Sequence, residues 1–336
     1  MAASIQDLMR HAGVGRATVY RVLTGSGVVG EAARKRVENA VADLGKPALQ
    51  QRTRASARVA LWVPGLGELL GRAHHVSVVR ALEETGAERG LAIEMINAPV
   101  PDEPAEAVAL VRRARVRGVM VLSFYAEEHL AALTEEWPVV MFFACGRAKR
   151  LTMVAPDDFT AGFLATRHLL EKGHRRVAAA VGSGRRPEGF SERFVGGYAL
   201  ALGEAGVPFR EALVLRDSAN LGPFTEDRPA PPACERIIKL KPRPTAIVAR
   251  GETIASLVRG LVGRGIGVPD EISVVGYGPR GGGPWPTPGL GWVEYSAQDM
   301  AEAGLDALDA RSDGCRGVVI PVRLVSGESV GALRRA

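Results

Sequence analysis

The sequence predicts two folds in series: an N-terminal all-α helix-turn-helix headpiece, then an α/β core of two Rossmann-like lobes. Three observations predict this. The first 46 residues carry short apolar stripes at helical spacing around a tight glycine turn. The chain's excess positive charge is confined to the same end. From about Arg58 onward, short β-rich runs alternate with helical stretches. At 336 residues and 46% hydrophobic content the chain is long enough for two or three domains with real cores.

The headpiece is read element by element. Ser4-Ile5-Gln6-Asp7 forms a capping box, in which the Ser4 hydroxyl and the Asp7 carboxylate satisfy N–H groups at a helix start. Ile5, Leu8, Met9 and Ala12 follow at helical spacing and give one apolar face. Gly13 stands where that helix must end in a left-handed conformation. A second helix starts three residues later, with Val19, Val22 and Leu23 inward, and a third runs from about Glu31 to Leu44, burying Ala33, Val37, Val41 and Leu44. Two short helices joined by a glycine turn and braced by a third make a helix-turn-helix.

On the second helix Arg16, Ala17, Tyr20, Arg21 and Thr24 share the side opposite the valines. In a helix-turn-helix that side enters the DNA major groove. An arginine there can bind guanine O6 and N7 in bidentate fashion, and a tyrosine ring can lie against a thymine methyl. The competing reading is a solvated face on a small bundle. Charge separates the two. Residues 1–58 hold ten basic and four acidic side chains, a net of +6, and the remaining 278 residues are neutral with 33 of each sign. The whole chain's charge of +6 therefore sits at one end, as expected of a module that displaces counterions from phosphates.

Other chemistry is not signalled. Cys145, Cys234 and Cys315 are odd in number and scattered, which fits buried thiols in a reducing compartment. No signal peptide opens the chain and no apolar run approaches the roughly 20 residues needed to cross a bilayer, so the expectation is a cytoplasmic, soluble protein. His74-His75, His168 and His174 lack metal-ligand spacing, and His174 falls in a helix-to-strand turn with a structural role. "GLGELLG" (65–71) is a near-match to a dinucleotide fingerprint whose third glycine comes one residue late. No catalytic set, metal site or cofactor is expected.

In the core, "RVALWVPG", "LAIEMINA", "GVMVLS" and "PVVMFFA" read as strands of one series. "RRVAAAVG", "ALVLRD", "TAIVAR" and "ISVVGYG" read as strands of a second, with helices such as "DFTAGFLATRHLLEKG" and "ETIASLVRGLVGRG" between them. Such alternation means parallel sheets covered by helices, and two series mean two lobes with a ligand cleft between them.

On four stretches the chain resembles the lac-repressor-like (LacI/GalR) transcriptional regulators. These are "IQDLMRHAGVGRATVYRVLTGSG", "RHLLEKGHRRVA" (167–178), "GYALALGEAGV" (197–207) and "PTAIVARGETIASLVRGLVGRGIGVPDEISVVGYG" (244–278). The resemblance implies a helix-turn-helix DNA-binding domain over 1–46, a hinge over 47–58 and a periplasmic-binding-protein-like core over 59–336. It divides that core into an N-lobe of about 59–157 plus 293–317 and a C-lobe of about 158–292 plus 318–336. It further implies a homodimer on a pseudo-palindromic double-stranded operator, acting as a repressor and sensing a small metabolite.

The departures from the family pattern refine the sites. Gly15 replaces a serine before the recognition helix, Tyr20 replaces a serine, Arg21 is kept, and Thr24 stands at an asparagine position. The expected DNA contacts are thus Ser4, Gly15, Arg16, Ala17, Thr18, Tyr20, Arg21 and Thr24. The hinge "LGKPALQQRTRASAR" keeps Pro47 but has Arg54 where a wedge leucine would kink the DNA, so Arg52 and Arg54 are expected to act as cations on phosphates or in the minor groove. In the cleft, Ala249-Arg250-Gly251 replaces the family's "AND", Gly278 replaces an aspartate, and Phe143 replaces another. The family's cleft arginine falls at Arg193 or, one residue on, at Phe194. With carboxylates lost and Arg250 gained, the expected effector is a small anionic, partly aromatic or sugar-derived molecule, held by Arg250 and Arg193 at Gly251 and Gly278, with Phe143, Phe194 and Trp285 as apolar walls. The rivals are an empty, vestigial cleft in which Arg250 pairs with Glu252 or Glu294, and a nucleotide-dependent enzyme fused to a helix-turn-helix. A plain solute-binding protein is disfavoured by the basic headpiece.

Overall fold

The computed structural model describes residues 5–15, 18–19, 22, 29–44, 58–63, 65, 73–122, 126–144, 146–181, 189–216, 232–251, 253–280, 289–310 and 314–333. It divides into two compact units, Met1–Ala57 and Arg58–Ala336. Ser4, Arg16, Ala17, Tyr20, Arg21, Thr24, Arg52, Arg54 and Trp285 lie outside the described residues, as does most of "GLGELLG".

In the first unit, α1 spans Ile5–Ala12 and α2 spans Glu31–Leu44. Asp7 in the first turn of α1 and Arg10 and His11 in its last turn match the helix dipole. Gly13, at φ 61°, ends the helix, and the Val14 N–H donates back to the Met9 carbonyl at 3.3 Å, a Schellman closure. Thr18, Val19 and Val22 are helical, and the Gly15 carbonyl accepts from the N–H groups of Thr18 (3.0 Å) and Val19 (3.2 Å). Leu8, Ala12, Val19, Val37 and Ala40 form the core, with Met9, Val14, Val22 and Val41 packed on it. The expected inward set on α2 is corrected at three positions, the first being Ala33, which is only half-buried and not part of this core. Ala40 is buried and Leu44 is 36% exposed, because Val37, Ala40 and Val41 make the i, i+3, i+4 stripe and Leu44 is the helix's last residue. His11 Nε2 meets Asp43 Oδ2 at 3.1 Å, linking α1 to α2.

The second unit has strands β1 (Arg58–Val63), β2 (Ala92–Asn97), β3 (Val119–Leu122), β4 (Val139–Phe142), β5 (Leu151–Pro156), β6 (Val177–Ala180), β7 (Val214–Leu215), β8 (Ala246–Arg250), β9 (Ser273–Pro279), β10 (Gly291–Tyr295), β11 (Arg316–Ile320) and β12 (Val322–Val325). Its helices are α3 (Ala73–Glu88), α4 (Pro104–Ala114), α5 (Glu127–Glu136), α6 (Asp158–Glu171), α7 (Gly189–Glu204), α8 (Pro232–Lys239), α9 (Thr253–Val262) and α10 (Ala297–Asp309). One sheet has the order β11-β5-β4-β3-β1-β2 and is parallel throughout; the other has the order β12-β10-β9-β8-β6-β7, with only the β10–β12 pair antiparallel. The central strands are apolar along their whole length, as parallel strands covered on both faces must be. No helix among the described residues is long and apolar enough to cross a membrane.

The sheets correct the expected lobe boundaries. Val293 pairs with Tyr277, so β10 belongs to the second sheet through Tyr295, and Ile320 pairs with Pro156, so β11 belongs to the first. The chain crosses between lobes after Pro156, Tyr295 and Ile320, not at 292/293 and 317/318. The sequence reading also lacked β5, β10, β11, β12 and α10. The edge strand β12 alternates half-buried and exposed residues and carries little pattern. The missed α10 did carry a signal, since Ser296 caps it by accepting from the Asp299 N–H at 3.0 Å.

Two helices of the second lobe touch backbone to backbone. A Cβ added at Gly162 on α6 would lie 2.1 Å from the Phe194 carbonyl oxygen, and one at Gly197 on α7 would lie 1.9 Å from the Phe159 carbonyl oxygen. Only glycine at both positions allows this crossing. Gly162→Ala should therefore destabilise the protein by about 3 kcal/mol. Gly203→Ala on the same α7, where the new methyl meets nothing within 4 Å, should be neutral or stabilising by up to about 1 kcal/mol. Urea unfolding of the two variants checks this; equal effects would refute the close crossing.

His174 is structural, as its place in the sequence suggests. Its Nδ1 meets Thr245 Oγ1 at 3.0 Å and its Nε2 meets the Gly331 carbonyl at 3.1 Å, fixing the C-terminal segment to the core. Burial pushes the imidazole below the ordinary histidine range, against the pull of the Gly331 carbonyl, and burial does the same to His168. Below about pH 6.5 the unfolded chain takes up a proton that the buried imidazole resists. Stability should thus hold above that pH and fall as pH drops below it, by at most about 1.4 kcal/mol per pH unit for each histidine. In His174→Asn the fall between pH 7 and 5 should be shallower; identical slopes in urea unfolding would contradict the assignment.

Candidate functional site

Of the predicted DNA contacts only Gly15 and Thr18 lie among the described residues, whereas all the predicted cleft residues but Trp285 do. At the headpiece, Gly15 is exposed and Thr18 half-buried, at the start of the segment that carries Val19 and Val22 into the core. A Cβ at Gly15 would meet nothing within 4 Å, so the missing side chain leaves that helix start open.

The cleft is built where the strands of the second sheet end. Pro156 closes β5, the Asp157 N–H donates to the Ile320 carbonyl at 2.9 Å, and the Asp157 side chain caps α6. Its two oxygens accept from the Thr160 N–H (3.0 Å) and the Thr160 hydroxyl (2.6 Å). With Asp157 occupied as the cap, Asp158 is the first helical residue and is only 1% exposed. Its Oδ1 accepts from the Tyr277 hydroxyl at 3.0 Å and from Arg250 Nη2 at 3.1 Å. Its Oδ2 is buried with no hydrogen-bond partner among the described residues.

Arg250, at the end of β8, completes the cluster. Its Nη1 donates to Ser191 Oγ on α7 at 3.3 Å, and its guanidinium carbon lies 5.6 Å from the centroid of the Tyr277 ring. Burial raises the Asp158 carboxyl above the usual carboxylate range, opposed by Arg250 and by the Tyr277 hydrogen bond. Burial, and then the Asp158 charge, hold the Tyr277 phenol well above its ordinary value, so it remains a hydrogen-bond donor. Rings continue the cluster toward the first lobe. Phe194 stacks on Tyr277 at 5.6 Å, Tyr295 meets Tyr277 at 5.9 Å and Phe143 at 6.2 Å, and Phe143 meets His74 at 4.9 Å.

This geometry corrects the sequence-based cleft in four respects. The cleft does contain a carboxylate, Asp158, so an anion at Arg250 would lie against a buried negative charge. Arg250 does not pair with Glu294, which instead accepts from Arg280 Nε at 2.9 Å and from Arg323 Nε at 2.6 Å; Glu252 lies outside the described residues. Gly278 does not open the backbone to a ligand, because Trp292 fills that space: a Cβ at Gly278 would lie 2.8 Å from the indole and one at Gly276 2.0 Å from it. Phe194 is fully buried beneath Tyr277 and is no cleft wall.

The remaining predicted residues are placed as follows. Gly251 takes φ 59° and donates its N–H to the Tyr277 carbonyl at 2.9 Å, which accounts for a glycine by the turn alone. Arg193 is exposed on α7, and its charge favours the ionised form of Asp158. Phe143 follows β4 with φ 57°, a backbone conformation that strains a bulky residue and tends to mark functional positions. Asp158, Tyr277, Ser191 and Tyr295 were missed. The adjacent Asp157-Asp158 pair at a strand-to-helix turn was the available signal, since one carboxylate suffices to cap the helix.

Comparison with known proteins agrees with this architecture. Residues 4–45 match the model described as bacterial regulatory proteins, lacI family, and residues 70–278 match that of periplasmic binding proteins and the sugar-binding domain of the LacI family. The chain is 25% identical over 340 residues to the HTH-type transcriptional repressor PurR of Yersinia pestis (strain Pestoides F), covering 98% of this chain and 97% of the relative. Among solved structures it is similar to a transcriptional regulator CelR–cellobiose complex, with a TM-score of 0.64, 25% identity and coverage of 97% and 99% of the two chains. It shares its fold with a LacI transcriptional regulator from a Rhodococcus species at a TM-score of 0.66, 23% identity and coverage of 82% and 98%. With a helix-turn-helix unit in front of a two-lobed α/β core, and both family models matched in that order, the chain belongs to the LacI family of DNA-binding bacterial transcriptional regulators.

Proposed function

We propose that the protein is a cytoplasmic repressor that binds a pseudo-palindromic operator as a homodimer and works by binding, with no catalytic step. Arg16 and Arg21 read base edges in the major groove, Tyr20 packs against a base, and Ser4, Gly15, Ala17, Thr18 and Thr24 complete the contact face. Arg52 and Arg54 neutralise phosphates. The observation that carries this reading is that the unit with helix-turn-helix geometry, Met1–Ala57, holds a net charge of +5 (nine basic and four acidic side chains) out of the chain's +6. A two-fold protein presents two such faces, which is why the expected operator is palindromic.

The core, on this reading, is the module in which this family senses small molecules. The CelR complex holds cellobiose, and the PurR relative is a repressor. A second reading, in which the cleft here takes no diffusible effector, is favoured by one observation: the charge of Arg250 is already met by Asp158.

The DNA-reading half is tested with a duplex selected from genomic fragments by the full-length protein. Arg16→Ala should weaken binding by about 1–3 kcal/mol and relax preference at one base pair in each half-site. Equal weakening on every sequence in a fluorescence-anisotropy titration would make Arg16 a phosphate contact and sink the base-reading role.

A further inference from the structure

Four elements of the second lobe converge on one guanidinium group. The start of α6 supplies Asp158, α7 supplies Ser191, β9 supplies Tyr277, and the end of β8 supplies Arg250 itself. The guanidinium thus receives a buried carboxylate oxygen at 3.1 Å, a hydroxyl at 3.3 Å and an aromatic face with its centroid 5.6 Å away. These are the three kinds of group that recognise a planar organic cation. They lie at the ends of the strands, where α/β folds hold their ligands.

We propose that Asp158, Tyr277 and Ser191 form a guanidinium-binding site that Arg250 fills from within the chain, so that the cleft carries its own cation in place of a diffusible effector. The inference rests on the second reading of the core, in which the cleft takes no diffusible effector. Asp158 decides the argument. Its carboxylate is 1% exposed and retains an unpartnered Oδ2, so a molecule that drew Arg250 away would leave a buried carboxylate with a single donor. Stripping one partner from a buried pair costs more than a new charge-assisted hydrogen bond to Arg250 returns. An anion is therefore a poor competitor, and a cation finds the site taken. The DNA-binding state is then set by Arg250 and not by a metabolite.

The test uses full-length wild type, Arg250→Ala and Arg250→Lys, with methylguanidinium at non-denaturing concentration as the probe and tetramethylammonium as a cation that cannot donate hydrogen bonds. Thermal unfolding should show Arg250→Ala melting on the order of 10 °C below wild type. Methylguanidinium should raise the Tm of Arg250→Ala but not of wild type, and tetramethylammonium should raise neither. Affinity for the selected duplex should change by about tenfold or more in Arg250→Ala and return with methylguanidinium. Arg250→Lys, which keeps the charge without the planar fork, should recover only part of either readout.

Equal methylguanidinium shifts in wild type and variant would overturn the site, as would wild-type DNA affinity in a folded Arg250→Ala protein. A Tm of wild type raised by neutral or anionic sugars would overturn the claim that no diffusible effector is used. If Arg250→Ala does not fold, the uncharged pair Asp158→Asn with Arg250→Gln replaces it, and unchanged DNA affinity there refutes the regulatory role. Failure of wild type to select any duplex would instead overturn the functional reading, while the Tm rescue would still decide the site.

Discussion

The second lobe is organised around the burial of one carboxylate. Asp158 sits at the first turn of α6, immediately after the chain enters that lobe, and a carboxyl group so deep in protein must be matched by hydrogen-bond partners. Arg250 and Tyr277 supply them from the ends of adjacent strands β8 and β9. The match fixes the end of β8, the orientation of the Tyr277 ring and, through stacking, the position of Phe194. It also sets the character of the cleft, where the positive charge of Arg250 is balanced before any ligand arrives.

That arrangement depends on how closely two helices approach. Asp158 and Ser191 lie on α6 and α7, which cross with their backbones in contact at Gly162 and Gly197. A methyl group at either glycine would push the helices apart, and the hydroxyl of Ser191 would move away from the guanidinium. On the opposite face of the sheet Gly276 and Gly278 make room for the Trp292 ring, which joins the core beneath α9. Glycines that looked like openings toward a ligand are places where large neighbours fit.

Much of the fold was legible in the sequence because its signals are local. A capping residue, a glycine in a left-handed turn and an apolar stripe at helical spacing are each set within a few residues, and the headpiece and the alternation of strands with helices follow from them. The misses occurred where pairing partners are distant. The edge strands β11 and β12 carry half-exposed patterns, and whether β10 belongs to one sheet or the other is decided by its pairing with β9, not by its own residues. The cleft failed for the same reason. Asp158 and Arg250 are 92 residues apart, and nothing near either one says that they meet. Reading Arg250 alone gave a free cation and hence an anionic ligand. With its partner in place, the same arginine is an internal counter-ion.

The most direct test of this account is a double-mutant cycle on folding stability with Asp158→Asn, Arg250→Gln and the two combined, measured by urea unfolding of the full-length protein at neutral pH. Each single change should be strongly destabilising, and the double variant should be more stable than the sum of the two predicts, with a coupling of about 1–3 kcal/mol. Additivity within about 0.5 kcal/mol would mean that Asp158 and Arg250 do not depend on each other, and the account of the cleft would fall.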